Sequence, residues 1–403
     1  STGVRIEMKL PTYGIMLAVL LGTGTLSAES FSIRSPNEQV VVTLGLVHGK
    51  PSWQLSVGGQ ECLKPGKLGV AIGPNALSNL ETAGVERDTR REVIETAWGK
   101  FSQYEDHYRQ VVWTLRESDG QQRSLKIHVR VYDQGVALRY QFPTDGGWNQ
   151  AIQLKDDQTE FCFADDYTGW CYAREHDPIG PKPLSQFHDG PNPGASLPLT
   201  VRTKSGLHMA VLEAAVFDHA PLSLIPSNPD PSAFRASLTS SSLRRGSATS
   251  WRVVLVGNSA GDLLVSPILY CLNPPSEIDD TSWIKPGLAM WDWRAWGATT
   301  DDGFTYGLDM PSWKRFIDFA SRNNVRYLVL DAGWYGLEFD PDSDPRTSRD
   351  YLLVQPDPQK PKLVPKPAPA QWDDPIDIPA LIRYGRSKNV GIVLYFNDIA
   401  RYH

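Results

Sequence analysis

A chain of 403 residues has room for two or three domains. Its 41% hydrophobic and 21% charged content is that of an ordinary soluble globular protein, which excludes a disordered or fibrous chain. A net charge of −6 gives no reason to expect nucleic acid, which calls for a basic face. Thirteen Trp and fifteen Tyr suit either a large core or surfaces that stack on the C–H faces of sugars.

The amino end starts at Ser1, and the first methionine is Met8. Met8-Lys9-Leu10, the mostly apolar stretch from Ile15 to Leu21 and Leu26-Ser27-Ala28 fit a secretory signal peptide cleaved after Ala28. Residues 1–7 read as translated upstream sequence, and the protein is expected in the periplasm or secreted. The competing reading is an amino-terminal anchor, although the apolar run is too short for a stable membrane span. Export permits disulfides among Cys62, Cys162, Cys171 and Cys271. Cys162 and Cys171 are close enough in sequence to bridge a hairpin, but the pairing stays open. No Cys-x-x-Cys or clustered His pattern suggests zinc.

From Phe31 to Leu272 the texture is all-β. Alternating runs at Gln39–Leu46, Ser52–Val57, Val111–Leu115, Leu125–Tyr132, Val136–Phe142, Leu207–Leu212 and Trp251–Val256 are separated by turns such as Ser118-Asp119-Gly120. Period-two alternation with frequent turns predicts one large β-sandwich over 29–272, without helices.

Asn273-Pro274-Pro275-Ser276 interrupts both strand and helix and reads as a linker. Beyond it the period changes. Gly287–Met290 is a short apolar run, Pro311–Arg322 carries a helical stripe of Trp313, Phe316, Ile317 and Ala320, and Val325–Leu330 is a buried strand. Ile378–Ser387 is a second helix and Val390–Phe396 a third strand. Near-continuous apolar strands alternating with helices predict a parallel sheet, the first three β/α units of a (β/α)8 barrel over 273–403. Residues 337–374, rich in Pro and Asp, interrupt this pattern as either a lid or a neutral insertion. The fold class is therefore multidomain β plus α/β.

In such barrels, residues just past the carboxyl ends of strands line the active site. This selects Asp292, Trp293, Asp331, Trp334 and Asn397 as candidate substrate-binding residues, with Asp398 beside them. Carboxylates and amides hold sugar hydroxyls, and tryptophan supplies a stacking face. Each has a structural alternative as a loop cap or a packing residue. Asp292 and Asp331 are a formal carboxylate pair, yet they are not assigned as acid and nucleophile because five barrel strands lie outside the sequence. Gly-x-Ser-x-Gly, Walker and Gly-x-Gly-x-x-Gly patterns are absent. In the sandwich, Glu213 ends the apolar strand Leu207–Leu212, where a carboxylate is costly unless compensated. A hard cation such as Ca2+ or an arginine partner would satisfy it.

These residues carry a resemblance. Trp283-Ile284-Lys285-Pro286-Gly287 with Trp291-Asp292-Trp293, then Phe316-Ile317-Asp318-Phe319-Ala320, then Tyr327–Trp334, resemble the barrel entry, first helix and second strand of glycoside hydrolase family 97. Leu197-Pro198-Leu199-Thr200 and Glu213-Ala214-Ala215 resemble a segment of that family's sandwich. The resemblance implies an exported, calcium-dependent α-glucosidase or α-galactosidase, inverting or retaining, with Glu213 as one metal ligand and an oligosaccharide or glycoside as substrate. It also implies that the general acid, the base or nucleophile and the other ligands lie beyond His403, so that this chain alone is inactive. The rivals are a non-catalytic carbohydrate-binding sandwich protein and a non-functional remnant.

Overall fold

The computed structural model describes residues 29–403 except 74–76, 97, 149, 174–176, 191–192, 336–337, 340, 342, 344–350, 355–361, 366–375 and 398–403. The expected signal peptide, Asp398 and most of 337–374 lie outside the described residues. The chain divides into two units after Glu277, just past Pro274-Pro275.

The first unit is a β-sandwich. Among the described residues one sheet has seven strands, in the order Glu29–Arg34, Val40–Val47, Lys50–Val57, Gln60–Lys67, Glu160–Phe163, Ala233–Ser237, Ser223–Pro226. A second has nine, running from Pro178–Pro183 through Thr168–Tyr172, Leu199–Arg202, His208–Ala214, Trp251–Gly257, Gly135–Gln141, Ser124–Tyr132 and Gln103–Glu117 to Leu80–Glu95, and a small third sheet pairs Ser241–Leu243, Ile152–Asp157 and Val70–Ile72. The alternation works as it should in a two-layer fold. Val42, Leu44, Trp53 and Leu55 of one sheet share a buried core with Val111, Trp113, Ile127, Val129 and Leu138 of the other. Phe31 meets Trp113 edge-on at 5.4 Å across the layers, a favoured geometry for aromatic rings.

Three features depart from the sequence reading. Two short helices, Ala260–Val265 and Ile268–Leu272, follow the last sandwich strand. Ile268 and Leu272 pack with Tyr108, Tyr132, Trp251 and Leu255 in a second core on the outer face of the nine-stranded sheet. Ser259 and Asp262 form a capping box at the start of the first helix, a local start signal followed by too few residues for a helical period to show. The four cysteines are unbridged. Cys162 sits in the seven-stranded sheet and Cys171 in the nine-stranded one, so they do not face each other across a hairpin. Finally, the segment read as irregular holds an antiparallel strand pair, Tyr351–Val354 with Lys362–Pro365.

The second unit begins a parallel β/α layer. Ala289–Trp291, Tyr327–Leu330 and Gly391–Leu394 pair in parallel and in chain order. The helix Met310–Arg322 starts at Asp309, whose carboxylate accepts the Ser312 N–H at 2.8 Å, with Pro311 in the first turn. Asp377 caps Ile378–Ser387 in the same way, through the Ala380 N–H at 2.9 Å. Both are standard helix starts. Trp313, Phe316, Ile317 and Ala320 form a core with Leu328, Leu330, Leu381 and Val390. A Cβ on Gly385 would meet the Val390 carbonyl at 2.6 Å, so glycine there lets the helix lie close to the following strand.

Candidate active site

The carboxyl ends of the three parallel strands lead directly into Asp292, Asp331 and Tyr395–Asn397. Asp292 is 0% exposed. Its Oδ2 accepts the Trp313 indole N–H at 2.8 Å, and its Oδ1 accepts the Asp331 main-chain N–H at 2.9 Å. Burial pushes its carboxyl up to about 6, against the opposing pull of these two bonds, with Asp331 adding to the rise. Asp292 and Asp331, expected as neighbours, are joined directly.

Asp331 is half-buried, and its Oδ1 accepts the Ala332 N–H at 2.6 Å. This orients the carboxylate at the mouth of the strand. Trp293 is 37% exposed, but Arg294 lies over its ring at 4.3 Å and over Trp291 at 5.0 Å. Trp334 is 3% exposed. Its indole N–H bonds the Tyr395 carbonyl at 3.0 Å, and Tyr335 and Phe396 meet it edge-on, so the ring props up the rim. The Asn397 amide N–H bonds the Tyr335 hydroxyl at 3.0 Å, and its Nδ2 approaches Glu338 Oε1 at 3.5 Å.

Glu338 was missed by the sequence pattern. It also accepts the Tyr395 hydroxyl at 2.7 Å, which brings a third carboxylate among the rim residues. It stands at the start of the segment read as an irregular insertion, where no periodicity marks its direction. A tyrosine and an asparagine at the end of the third strand were the available signal.

Glu213 belongs to the sandwich unit. It lies near the end of strand His208–Ala214, in register with Arg252 on the neighbouring strand. The arginine does not take it. Glu213 Oε1 accepts the Leu222 N–H at 3.0 Å, and Oε2 accepts the Ser250 hydroxyl at 3.3 Å. Desolvation raises its carboxyl above the ordinary value, partly offset by the Leu222 bond and the Arg252 charge. The arginine-partner reading therefore fails, because Arg252 is bound by Asp157. Nearby in sequence, His219 has both ring nitrogens buried without a partner among the described residues. Burial, then the Arg252 charge, pushes its imidazole down to about 4, so it is neutral.

A hard cation seeks several oxygen ligands. Glu213, an under-compensated carboxylate, has the chemistry of one such donor. Among the described residues no group of three or more His, Cys, Asp or Glu gathers around a point. Further ligands would have to join Glu213. No helix among the described residues is long and apolar enough to cross a membrane.

The chain is thus a large sandwich followed by parallel β/α units whose strand ends bear carboxylates, an amide and tryptophans. The family model described as Glycosyl-hydrolase 97 N-terminal matches residues 33–275, and that described as Glycoside hydrolase 97 matches residues 290–403. The chain belongs to glycoside hydrolase family 97. It is 24% identical to a retaining alpha-galactosidase of Bacteroides thetaiotaomicron, covering 98% of this chain and 59% of that protein. It is 27% identical to a probable retaining alpha-galactosidase of Streptomyces bingchenggensis, over 89% of this chain and 51% of that protein. The fold is also that of a family 97 enzyme from Pseudoalteromonas sp. strain K8 solved with acarbose (TM-score 0.69, 22% identity, 90% of this chain and 53% of that one). The chain thus spans about half the length of the curated relatives it matches.

Proposed function

We propose that this chain is the sugar-binding front of an exported α-glycosidase that acts on α-linked galactosides or glucosides. The observation that carries the reading is the rim at the ends of the parallel strands, where Asp331, Asn397 and the exposed part of Trp293 stand on a framework built by Asp292 and Trp334. The names of the curated relatives support α-galactosides as the first substrates to test.

Glycoside hydrolysis requires two carboxyl groups, one to protonate the leaving oxygen and one to activate water or attack the anomeric carbon. We assign neither role within residues 1–403. Asp292 is fully buried, and its two oxygens are occupied inside the protein. Asp331 and Asn397 have the chemistry to accept from and donate to sugar hydroxyls, and Trp293 to pack against the ring. Glu213 would contribute an oxygen ligand to calcium. When bound, the ion would supply positive charge to the oxygens that ligate it.

Calorimetric titration of the 403-residue chain with methyl α-galactoside and methyl α-glucoside, with and without calcium, tests the reading. Saturable binding without release of nitrophenol from the corresponding nitrophenyl glycosides is expected. Absence of binding to both sugars contradicts the sugar-binding assignment. Cleavage by this chain contradicts the placement of the reacting carboxylates outside it.

A further inference from the structure

The buried carboxylate of Asp292 ties three elements together. It leaves the first parallel strand, takes the indole of Trp313 on the following helix, and takes the main-chain N–H of Asp331 at the end of the second strand. Trp313 is itself fully buried in the core between helix and sheet. It is therefore a fixed donor, and the carboxylate between the two N–H groups has one orientation. Residues that contact ligands directly need an oxygen directed outward, and Asp292 has committed both oxygens inward.

We propose that Asp292 is a positioning residue: by holding the Asp331 amide against the Trp313 indole, it fixes the main chain from which Asp331 presents its carboxylate, and it does not contact sugar. This rests on reading the rim as the sugar-facing side. It reassigns Asp292 from the substrate-binding set predicted from sequence to the support beneath it. A charged acceptor for a main-chain N–H is worth more than a neutral one. The geometry at Asp331 is accordingly specified by chemistry one strand away. The Asp331 charge bears on Asp292, the helix offers it the neutral Trp313, and the neutral indole of Trp296 also favours its charged form.

Residue-resolved hydrogen exchange and selective nitrogen-15 labelling of Asp and Trp in the 403-residue chain test this without requiring sugar binding. In Asp292→Asn, the Asp331 amide is expected to exchange at least about tenfold faster, the loss of one charge-assisted bond. The amides of Leu328 and Leu330 should keep their protection. Unchanged exchange at Asp331 overturns the proposal. So does equal loss throughout strand Tyr327–Leu330, which would make Asp292 a general packing residue.

If that variant does not fold, a pH titration of the unmutated chain decides. The Asp331 amide and the Trp313 indole resonances are expected to move together with one midpoint, because both bond the same carboxylate. Titration of the Asp331 carboxyl alone would move the amide and leave the indole still, and that result overturns the proposal. Failure of the sugar titration with these signals intact would reject the glycosidase reading and leave the positioning role standing.

Discussion

Glu213 and Arg252 stand opposite each other on adjacent antiparallel strands, yet they form no ion pair. Arg252 directs Nε and Nη2 to a single oxygen of Asp157, with Nε at 2.9 Å, and both side chains of that pair are essentially buried, at 1% and 0% exposure. Glu213 is left with an amide and a hydroxyl. A strand-end carboxylate next to an arginine thus remains under-compensated because a more deeply buried aspartate has captured the cation.

Glu213→Gln follows from this arrangement. The folded-state carboxyl of Glu213 is raised, so its contribution to stability is fully present below the unfolded-state value and is lost as pH rises through the folded value. The glutamine variant should lose that part of the decline. In thermal melts from acid to neutral pH with a chelator present, its midpoint should fall less than that of the unmutated chain.

Arg252→Ala should be among the most damaging single changes in the sandwich. It strands the Asp157 carboxylate in the core, and breaking a buried pair costs about 3–5 kcal/mol. Replacing both partners with apolar residues, as in Arg252→Met with Asp157→Leu, should recover most of the loss. Urea denaturation of the three proteins measures the difference.

Asp292 sets a second pH dependence of the same sign. Its carboxyl rises from 3.8 to about 6. Stability is therefore highest below the unfolded value and is lost as pH rises from about 4 through about 6. With about 1.4 kcal/mol per unit, the loss is about 3 kcal/mol. Urea midpoints collected across that window should fall with rising pH, and Asp292→Asn should flatten the slope by roughly one proton.

Trp313→Phe keeps most of the apolar volume and removes one N–H. Asp292 Oδ2 then has no donor at a fully buried position. The expected cost is about 1–3 kcal/mol. The same change should raise the Asp292 carboxyl further, which moves the pH window of the preceding experiment upward.

The parts of the fold that bury one face in a regular period were legible in the sequence. Ile378–Ser387 occurs at the bounds expected, Tyr327–Leu330 starts two residues later than the expected Val325–Leu330, and Met310–Arg322 begins one residue early. Leu80–Glu95 was not legible. Most of its residues are exposed, and it is held by its ladder with Gln103–Glu117 more than by an apolar face. Position on the rim could be read from where apolar runs stop, but direction could not. Asp292, Asp331 and Trp334 all follow strands, and only the packing around them separates an inward carboxylate and a buried indole from a carboxylate at the strand mouth. Glu338 was hidden because its partners, Tyr395 and Asn397, lie far along the chain.

A crystal structure of the chain with a bound α-galactoside would test the central claim most directly. The account predicts sugar density at the carboxyl ends of strands Ala289–Trp291, Tyr327–Leu330 and Gly391–Leu394, within hydrogen-bonding reach of Asp331 or Asn397, while Asp292 keeps its bonds to Trp313 and the Asp331 amide. Density confined to the sandwich, or lying at the opposite ends of those strands, would contradict it.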